Sequence, residues 1–380
     1  MSAFLEPADT YLNGSATLPG RYFTSTHIYQ QELERIFNRS WLCVGRAERI
    51  PDAGDYFLAH IGAESIIVVR ERTGHIHAFY NLCRHRGTRL CSQTSGKFAN
   101  SIQCPYHAWT YSLRGDLIGA PHMDEVPGFD KGAYPLHRTA LVEWEGFLFV
   151  NLAEPPVPFE PAFRSVLGKF SPWNLSKLRS LRQIDYNVAA NWKLIVQNYS
   201  ECYHCPLIHP ELARKSPYRS GRNDLHSGPV LGGFMELNHE FGSLTLSGRS
   251  CAMPFDDLPD DDLSRVYYYA LFPNMLLSLH PDYVMVHTLW PQAPDRTHIR
   301  CQWLFDPSQN ANPDFHPEDA LQFWDMTNRQ DWQVCELSQL GVSSKAYRPS
   351  PYSPQESLLA AFDRQVLQAL GHAAPSGVEG

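Results

Sequence analysis

Two short segments each carry one cysteine and one histidine, and their spacing constrains this chain more than any other feature. The first reads Cys83-Arg-His85, and the second, after a gap of 18 residues, reads Cys104-Pro-Tyr-His107. Two such loops can present two thiolates and two imidazoles to one metal centre. Zinc sites with these ligands usually pair Cys with Cys and His with His. Here each loop supplies one of each, which favours a [2Fe–2S] cluster, with both cysteines on one iron and both histidines on the other, over zinc.

Length and composition are those of a globular protein with two domains. The chain has 380 residues, of which 43% are hydrophobic and 19% are charged. A formal net charge of −8 argues against nucleic acid as a partner. The first residues lack the apolar segment of a signal peptide, and no uncharged apolar run is long enough to predict a membrane span.

Cysteine usage predicts a reducing compartment. Two of the nine cysteines belong to the metal-binding loops, and we expect the others to be buried free thiols of a cytoplasmic protein. These others are Cys43, Cys91, Cys202, Cys205, Cys251, Cys301 and Cys335.

Hydrophobic patterning predicts an α+β chain in three parts. A helical segment spans residues 1–40, an all-β domain spans 41–155, and a mixed domain spans 156–380. A proline-rich stretch after residue 153 separates the last two parts. In the β domain, short alternating runs predict strands at 55–60, 65–70, 77–80 and 148–151.

The mixed domain combines an antiparallel meander with helices. Four runs separated by proline-containing turns predict its strands, at 267–272, 275–280, 283–290 and 298–305. Helical periodicity predicts helices at 190–204, 316–338 and 354–370.

A second candidate metal site follows the proline-rich stretch. Glu201 and His204 are three residues apart and share a face of the helix predicted at 190–204. His209 would lie off that face on a regular helix, but the prolines on either side of it allow the chain to bend and bring it back.

Two histidines and one carboxylate form the facial triad of non-haem Fe(II) oxygenases, which leaves coordination positions open. The residues alone leave several carboxylates as the third ligand. They are Glu201, Asp325, Asp331 and Glu336.

Together these motifs resemble the Rieske non-haem iron oxygenases, in particular their terminal (alpha) subunits. The resemblance is carried by Cys-Arg-His-Arg-Gly, by Cys-Pro-Tyr-His-Ala-Trp-Thr-Tyr and by the His-x₄-His at 204 and 209. It implies an N-terminal all-β Rieske domain and a C-terminal helix-grip (START-like) catalytic domain with an antiparallel sheet. The segments 325–331 and 346–353 are similar to glycine betaine and choline oxygenases.

The resemblance also implies roles for individual residues. It assigns the cluster to Cys83, His85, Cys104 and His107, and a mononuclear Fe(II) to His204, His209 and Asp331. Asp331 matches the family ligand because it lies five residues before a glutamate that precedes a Gln-x-Gly. Glu201 matches a carboxylate that bridges to a Rieske histidine of the neighbouring subunit, and Asn198 matches an asparagine near the iron.

The implied activity is that of a terminal oxygenase, which uses O₂ and reductase-supplied electrons to hydroxylate or oxidatively demethylate a small organic substrate. No Gly-x-Gly-x-x-Gly follows a predicted strand, so NAD(P)H would be used only through a separate flavin/iron–sulfur reductase, with a ferredoxin as a further candidate carrier. In this family electrons cross between subunits, which implies a homotrimer.

A quaternary ammonium substrate would need an aromatic cage. The sequence offers residues 267–269, Phe272, Trp290 and Trp324 for it, although the same aromatic residues are also typical of a sheet core. Two other functions stay open. One is an aromatic ring-hydroxylating dioxygenase, and the other is a Rieske electron carrier whose second domain only binds a ligand.

Overall fold

The computed structural model describes residues 3–372, and their contacts divide them into two compact units. One unit is residues 37–157, and the other joins the residues before 37 to those from Pro158 onward. The domain limits of 1–40, 41–155 and 156–380 stay a prediction. In the structure, the N-terminal residues do not form a part of their own but pack with the later unit.

The unit of residues 37–157 is built from three small antiparallel sheets. Their strand orders are β1-β10-β9, β4-β3-β2-β5 and β6-β7-β8. The strands are β1 (Leu42–Arg46), β2 (Asp55–Ile61), β3 (Glu64–Arg70), β4 (Ile76–Tyr80), β5 (Ser95–Lys97), β6 (Ser101–Gln103), β7 (Thr110–Ser112), β8 (Leu117–Gly119), β9 (Ala140–Trp144) and β10 (Phe147–Asn151).

Apolar packing in this unit reaches the two cysteine–histidine loops. One buried cluster includes Phe79 of β4, Tyr111 of β7 and both loop cysteines, Cys83 and Cys104. The cysteines are therefore anchored in the core, although the loops that carry them are on the surface.

The second unit combines one large sheet with helices. Its strands are β11 (Arg179–Val188), β12 (Arg222–Leu225), β13 (Val230–Glu236), β14 (Arg265–Leu271), β15 (Met275–Leu279), β16 (Val284–Ala293) and β17 (Arg296–Phe305). Its helices are α1 (Arg21–Thr24), α2 (Thr26–Glu32), α3 (Phe159–Phe163), α4 (Trp192–Tyr199), α5 (Cys205–Ile208), α6 (Pro210–Lys215), α7 (Pro317–Val342) and α8 (Ser357–Leu370).

The seven strands form an antiparallel sheet in the order β11-β17-β16-β15-β14-β13-β12. The predicted meander is confirmed as β14 to β17, and the predicted α+β class is confirmed with it. The sequence patterning did not predict β11, whose side chains are mostly exposed, or strands β12 and β13. In β13, a Cβ on Gly233 would lie 1.8 Å from the backbone oxygen of Arg222, so only glycine allows β12 to approach this closely.

The long helix α7 runs against the sheet and α4. Asp325 Oδ1 accepts a hydrogen bond of 2.7 Å from the Tyr186 hydroxyl of β11, which ties the helix to the edge of the sheet. Within residues 3–372, no helix is both long and apolar enough to cross a membrane.

A buried ion pair links α2 to α4, the helix that precedes the second candidate metal site. Lys193 Nζ lies 2.5 Å from Oε1 of Glu32, and both side chains are fully buried. The other oxygen of Glu32 accepts the Trp192 indole N–H at 2.8 Å. All of the polar atoms of this carboxylate are therefore paired.

We expect Lys193→Met to lower the free energy of unfolding by about 3–5 kcal/mol, because it leaves the buried Glu32 charge without its partner. Urea denaturation followed by tryptophan fluorescence measures the loss. The double variant with Glu32→Gln is the control, and it should recover part of the stability. An equal loss in both variants would show that Lys193 acts through packing and not through charge.

Candidate metal centres

The two cysteine–histidine loops have the same backbone turn. In the first, the amide of Cys83 donates to Thr88 O at 2.8 Å and the carbonyl of Cys83 accepts from Gly87 N at 2.9 Å. In the second, Cys104 makes the corresponding bonds to Trp109 and Ala108, at 2.8 and 3.1 Å. Gly87 and Ala108 both have positive φ, of 73° and 56°, which closes each turn tightly around its cysteine.

These turns place the cysteines inside and the histidines outside. Cys83 and Cys104 are 2% and 3% exposed, whereas the rings of His85 and His107 lie nearer to solvent with their centroids 4.8 Å apart. The buried Tyr111 hydroxyl accepts the backbone N–H of Arg84 and lies 3.3 Å from the Cys83 sulfur. Two inner thiols and two outer imidazoles fit a cluster that is held by sulfur on one iron and by nitrogen on the other.

The second site begins where α4 ends, and this corrects the predicted helix of 190–204. The helix stops at Tyr199, so Glu201 and His204 do not share a helical face. A turn brings them together instead, because the Glu201 carboxylate accepts the backbone N–H groups of Tyr203 and His204. His209 lies at the break between α5 and α6, as the flanking prolines predicted.

His204, His209 and Asp331 converge on one point. Their ligand atoms lie within 4.8 Å of one another, and among residues 3–372 no other set of three or more such side chains was found that could hold one metal ion in this way. Asp331 Oδ1 lies 2.7 Å from Nε2 of His209 and 3.3 Å from Nε2 of His204. Asp331 comes from α7, so the three side chains meet only in the folded unit.

Further hydrogen bonds orient the two imidazoles. His204 Nδ1 donates to Oε1 of Glu201 at 2.6 Å, since a carboxylate can only accept. His209 Nδ1 lies 2.7 Å from Oε1 of Gln330. Both rings are thus held with Nε2 towards Asp331, the arrangement typical of metal-binding histidines.

The electrostatics of the three side chains favour a positive charge between them. Burial lowers the pKa of His204, but hydrogen bonds to Asp331 and Glu201 outweigh this effect and raise the pKa to about 10. Burial also raises the pKa of Asp331, yet hydrogen bonds from His204 and His209 leave it below its usual value. A divalent cation would bind the same ring nitrogens and carboxylate oxygen in place of the proton.

The other carboxylates considered as ligands are bound elsewhere. Asp325 accepts from Tyr186 and, at 3.0 Å, from Arg329. Glu336 accepts the backbone N–H of Ala189 at 3.0 Å. Asn198, in the last turn of α4, lines the cavity beside the three converging side chains but is not one of them.

A cavity of about 130 Å³ opens on to the three converging side chains. Aromatic residues form much of its wall, namely Tyr199, Tyr218, Phe234, Tyr268, Trp324 and Trp332. Of the residues offered for an aromatic cage, only Tyr268 and Trp324 line it. Tyr267 and Tyr269 point to the opposite face of β14 because side chains alternate along a strand, and Phe272 borders a smaller cavity.

The prediction of free thiols is wrong for two cysteines next to this site. Cys202 and Cys205 form a disulfide, because the turn after α4 brings their Cα atoms to 5.0 Å. The remaining five, Cys43, Cys91, Cys251, Cys301 and Cys335, form no disulfide, and all except Cys91 are buried.

Sequence reasoning did not identify Gln330, Tyr111 or His287 as parts of these sites. Gln330 precedes Asp331 on α7, and this adjacency was its only signal in the sequence. Tyr111 and His287 lie on strands β7 and β16, where a core residue and a site residue cannot be told apart by spacing.

Comparison with known proteins identifies both units. The family model of the ring hydroxylating alpha subunit (catalytic domain) matches residues 175–372, and that of the Rieske [2Fe–2S] domain matches residues 40–130. The chain is 34% identical to the glycine betaine monooxygenase oxygenase subunit of Chromohalobacter salexigens, over 90% of this chain and 82% of that one. It is 38% identical to the carnitine monooxygenase oxygenase subunit of Escherichia coli, over 87% and 86%.

Solved structures agree with these relatives. A quaternary ammonium Rieske monooxygenase superposes with a TM-score of 0.80 at 25% identity, covering 98% of this chain and all of that one. Naphthalene 1,2-dioxygenase from Rhodococcus sp. shares the fold, with a TM-score of 0.77 at 17% identity over 94% and 95% of the chains. This chain therefore belongs to the Rieske non-haem iron oxygenases, as an oxygenase alpha subunit with a [2Fe–2S] cluster and a mononuclear iron.

Proposed function

We propose that this oxygenase oxidises an N-methylated quaternary ammonium compound. The observation that carries the proposal is the cavity that joins the His204–His209–Asp331 site to a wall rich in aromatic side chains. A trimethylammonium group cannot donate hydrogen bonds, and it is bound well by the negative faces of Tyr and Trp rings. Relatives named for glycine betaine, carnitine and choline support the same substrate class.

The proposed ligands follow the geometry of the two centres. Cys83, His85, Cys104 and His107 would hold the cluster, and a second set, His204, His209 and Asp331, would hold the Fe(II). When bound, the iron supplies O₂ activation. Glu201 and Gln330 keep the two imidazoles oriented, and the aromatic wall of the cavity would leave few polar groups for water beside the methyl group that reacts.

The proposed reaction consumes one O₂, two electrons and two protons for each methyl group. One oxygen atom enters a C–H bond of the methyl group and the other leaves as water. The hydroxymethylammonium product then loses its hydroxyl proton as the C–N bond breaks, which releases formaldehyde and a tertiary amine. An alternative outcome is hydroxylation that leaves the C–N bonds intact.

Electrons reach a Rieske oxygenase from a reductase, and this class of partner follows from the family. We propose a flavin/iron–sulfur reductase, with a ferredoxin as the alternative carrier, so that NAD(P)H acts only indirectly. We also propose a homotrimer in which Glu201 connects the mononuclear iron of one subunit to the cluster of its neighbour.

Purified protein should be red-brown, with about three irons and two acid-labile sulfides per chain, because one cluster and one mononuclear site are present. Colorimetric iron and sulfide assays measure this ratio. Two irons per chain with no third would instead favour an electron carrier whose second domain only binds a ligand. Stoichiometric zinc would contradict the ligand assignment.

The substrate class is tested by O₂ uptake with a surrogate reductase. Quaternary ammonium compounds should stimulate uptake that is matched by formaldehyde release. Naphthalene and related arenes are the controls, since the naphthalene dioxygenase fold is shared. Coupled oxidation of an arene, with none of the ammonium compounds, would favour the aromatic ring-hydroxylating dioxygenase.

A further inference from the structure

A tryptophan of the second cysteine–histidine loop lies against a histidine of the first loop. The indole of Trp109 and the imidazole of His85 are nearly parallel, with 8° between their planes, and their centroids are 4.9 Å apart. Parallel rings at this distance are stacked with an offset, which is a favourable arrangement for aromatic pairs. The stack is therefore a direct contact between the two loops that are proposed to share the cluster.

The packing around Trp109 holds its ring in place. The residue is 2% exposed and belongs to the buried cluster that contains Cys83 and Cys104. Its backbone carbonyl accepts the amide N–H of Cys104 at 2.8 Å, so the turn that holds this cysteine also fixes the tryptophan. Phe129 and Tyr134 meet the indole edge to face, with centroids 5.7 and 5.8 Å from it. The indole is thus a fixed surface for the imidazole.

The aromatic segment 129–134 is in turn connected to the first loop. Its two rings stack on each other, with centroids 5.2 Å apart. Arg84 of the first loop donates from Nη1 to the backbone carbonyl of Pro135 at 2.6 Å. Contacts therefore run from Arg84 through this segment to Trp109 and return to His85.

The two cluster histidines differ in their aromatic neighbours. The ring of His107 lies 3.7 Å from that of Tyr106, centroid to centroid, but Tyr106 is 56% exposed. Within residues 3–372, the ring contacts of His85 include a buried indole, whereas those of His107 do not. An effect of buried aromatic packing on the cluster should therefore act through His85.

An indole face beside a ligand of the cluster would oppose reduction of the cluster. Reduction adds one electron, and the face of an indole is the negative part of its quadrupole. The buried indole also keeps water from one side of the imidazole, and solvent exposure is one of the factors that set the potential of such clusters. Both effects disfavour the added negative charge, so both lower the reduction potential.

We propose that Trp109 is a positioning residue for His85, which holds the imidazole in one orientation and lowers the reduction potential of the cluster. The inference rests on the proposed role of His85 as a cluster ligand. It goes beyond that role because Trp109 acts through the imidazole and not as a ligand.

The test is a redox titration of the purified full-length protein, with dithionite as the electron donor and the cluster absorbance as the signal. Trp109→Leu removes the ring and should shift the one-electron equilibrium about three- to tenfold towards the reduced form, a rise of about 30–60 mV. Trp109→Phe keeps a smaller ring, so its potential should lie between those of the unaltered protein and the leucine variant. The EPR lines of the reduced cluster should broaden in Trp109→Leu, because the imidazole is no longer held in one orientation.

Leu117→Ala is the control for lost packing. Leu117 belongs to the same buried cluster, but its aliphatic side chain cannot stack on an imidazole. The variant should lower the melting temperature and leave both the potential and the EPR line width unchanged.

A potential in Trp109→Leu that equals or falls below that of the unaltered protein would overturn the inference, as would an equal rise in Leu117→Ala. If Trp109→Leu assembles no cluster, Trp109→Phe decides alone, and its potential must still exceed that of the unaltered protein. A missing Rieske EPR signal in the unaltered protein would instead contradict the proposed cluster ligands, so the two failures can be told apart.

Discussion

Asp331→Ala should abolish product formation, by more than about a hundredfold, while the visible spectrum of the cluster stays intact. Among residues 3–372, Asp331 is the only carboxylate that contacts Nε2 of both His204 and His209. Loss of groups that merely orient a metal ligand already costs about 10–100-fold in affinity or activity, so loss of the proposed anionic ligand should cost more. Iron analysis should find the cluster iron without the third iron.

Glu336→Gln is the matched control on the same helix. It removes a charge but keeps the oxygen that accepts the Ala189 N–H, and it lies outside the three-residue site. We expect full iron content and turnover in this variant. Wild-type turnover in Asp331→Ala would show that Asp331 is not a ligand, and Asp325 or Glu336 would then be tested in its place.

Glu201→Gln should keep both metals but slow electron transfer between them by about tenfold or more. The amide keeps an oxygen that can accept from His204 Nδ1, so His204 should stay oriented and the iron should stay bound. What is lost is the negative charge proposed to bind the cluster histidine of a neighbouring subunit. Single-turnover rapid mixing, with cluster oxidation followed optically, measures the rate.

The geometry also allows a purely local role, because Glu201 contacts His204 within one chain. In that case iron occupancy would fall and the cluster would oxidise normally in every loaded molecule. Gln330→Met provides the comparison. It removes the corresponding acceptor beside His209, so it should lower iron occupancy without changing the rate per loaded site.

The sequence pattern predicted structure correctly where the residues that act together are close along the chain. The four residues predicted to hold the cluster lie in two short segments, 83–85 and 104–107, and the loop around each segment closes by hydrogen bonds of its own backbone. The strands of the meander could also be predicted, because apolar runs and proline turns are local features. The helix predicted at 190–204 is shorter in the structure, because α4 ends at Tyr199. A non-helical turn follows, in which the Glu201 carboxylate accepts a backbone N–H.

Other features could not be predicted from the sequence pattern because they depend on contacts between residues in the folded chain. Strand β11 has few buried side chains, and it is part of the sheet only through pairing with β17. The free-thiol prediction failed at Cys202 and Cys205 because their approach depends on the turn that follows α4. The aromatic residues of β14 could not be assigned to the cavity until the register showed which face each one takes.

By itself, the sequence determined the chemistry of this protein, since two Cys–His loops and a His-x₄-His motif specify ligand types and short spacings that any fold must respect. Tertiary structure decided which of four carboxylates joins the histidines, because Asp331 is more than a hundred residues away along the chain. It also joined β11, β16 and α7 through the hydrogen bonds of Tyr186, His287 and Asn328. Side chains from distant segments can be placed together only by the packing of a whole unit, and local pattern does not encode that packing.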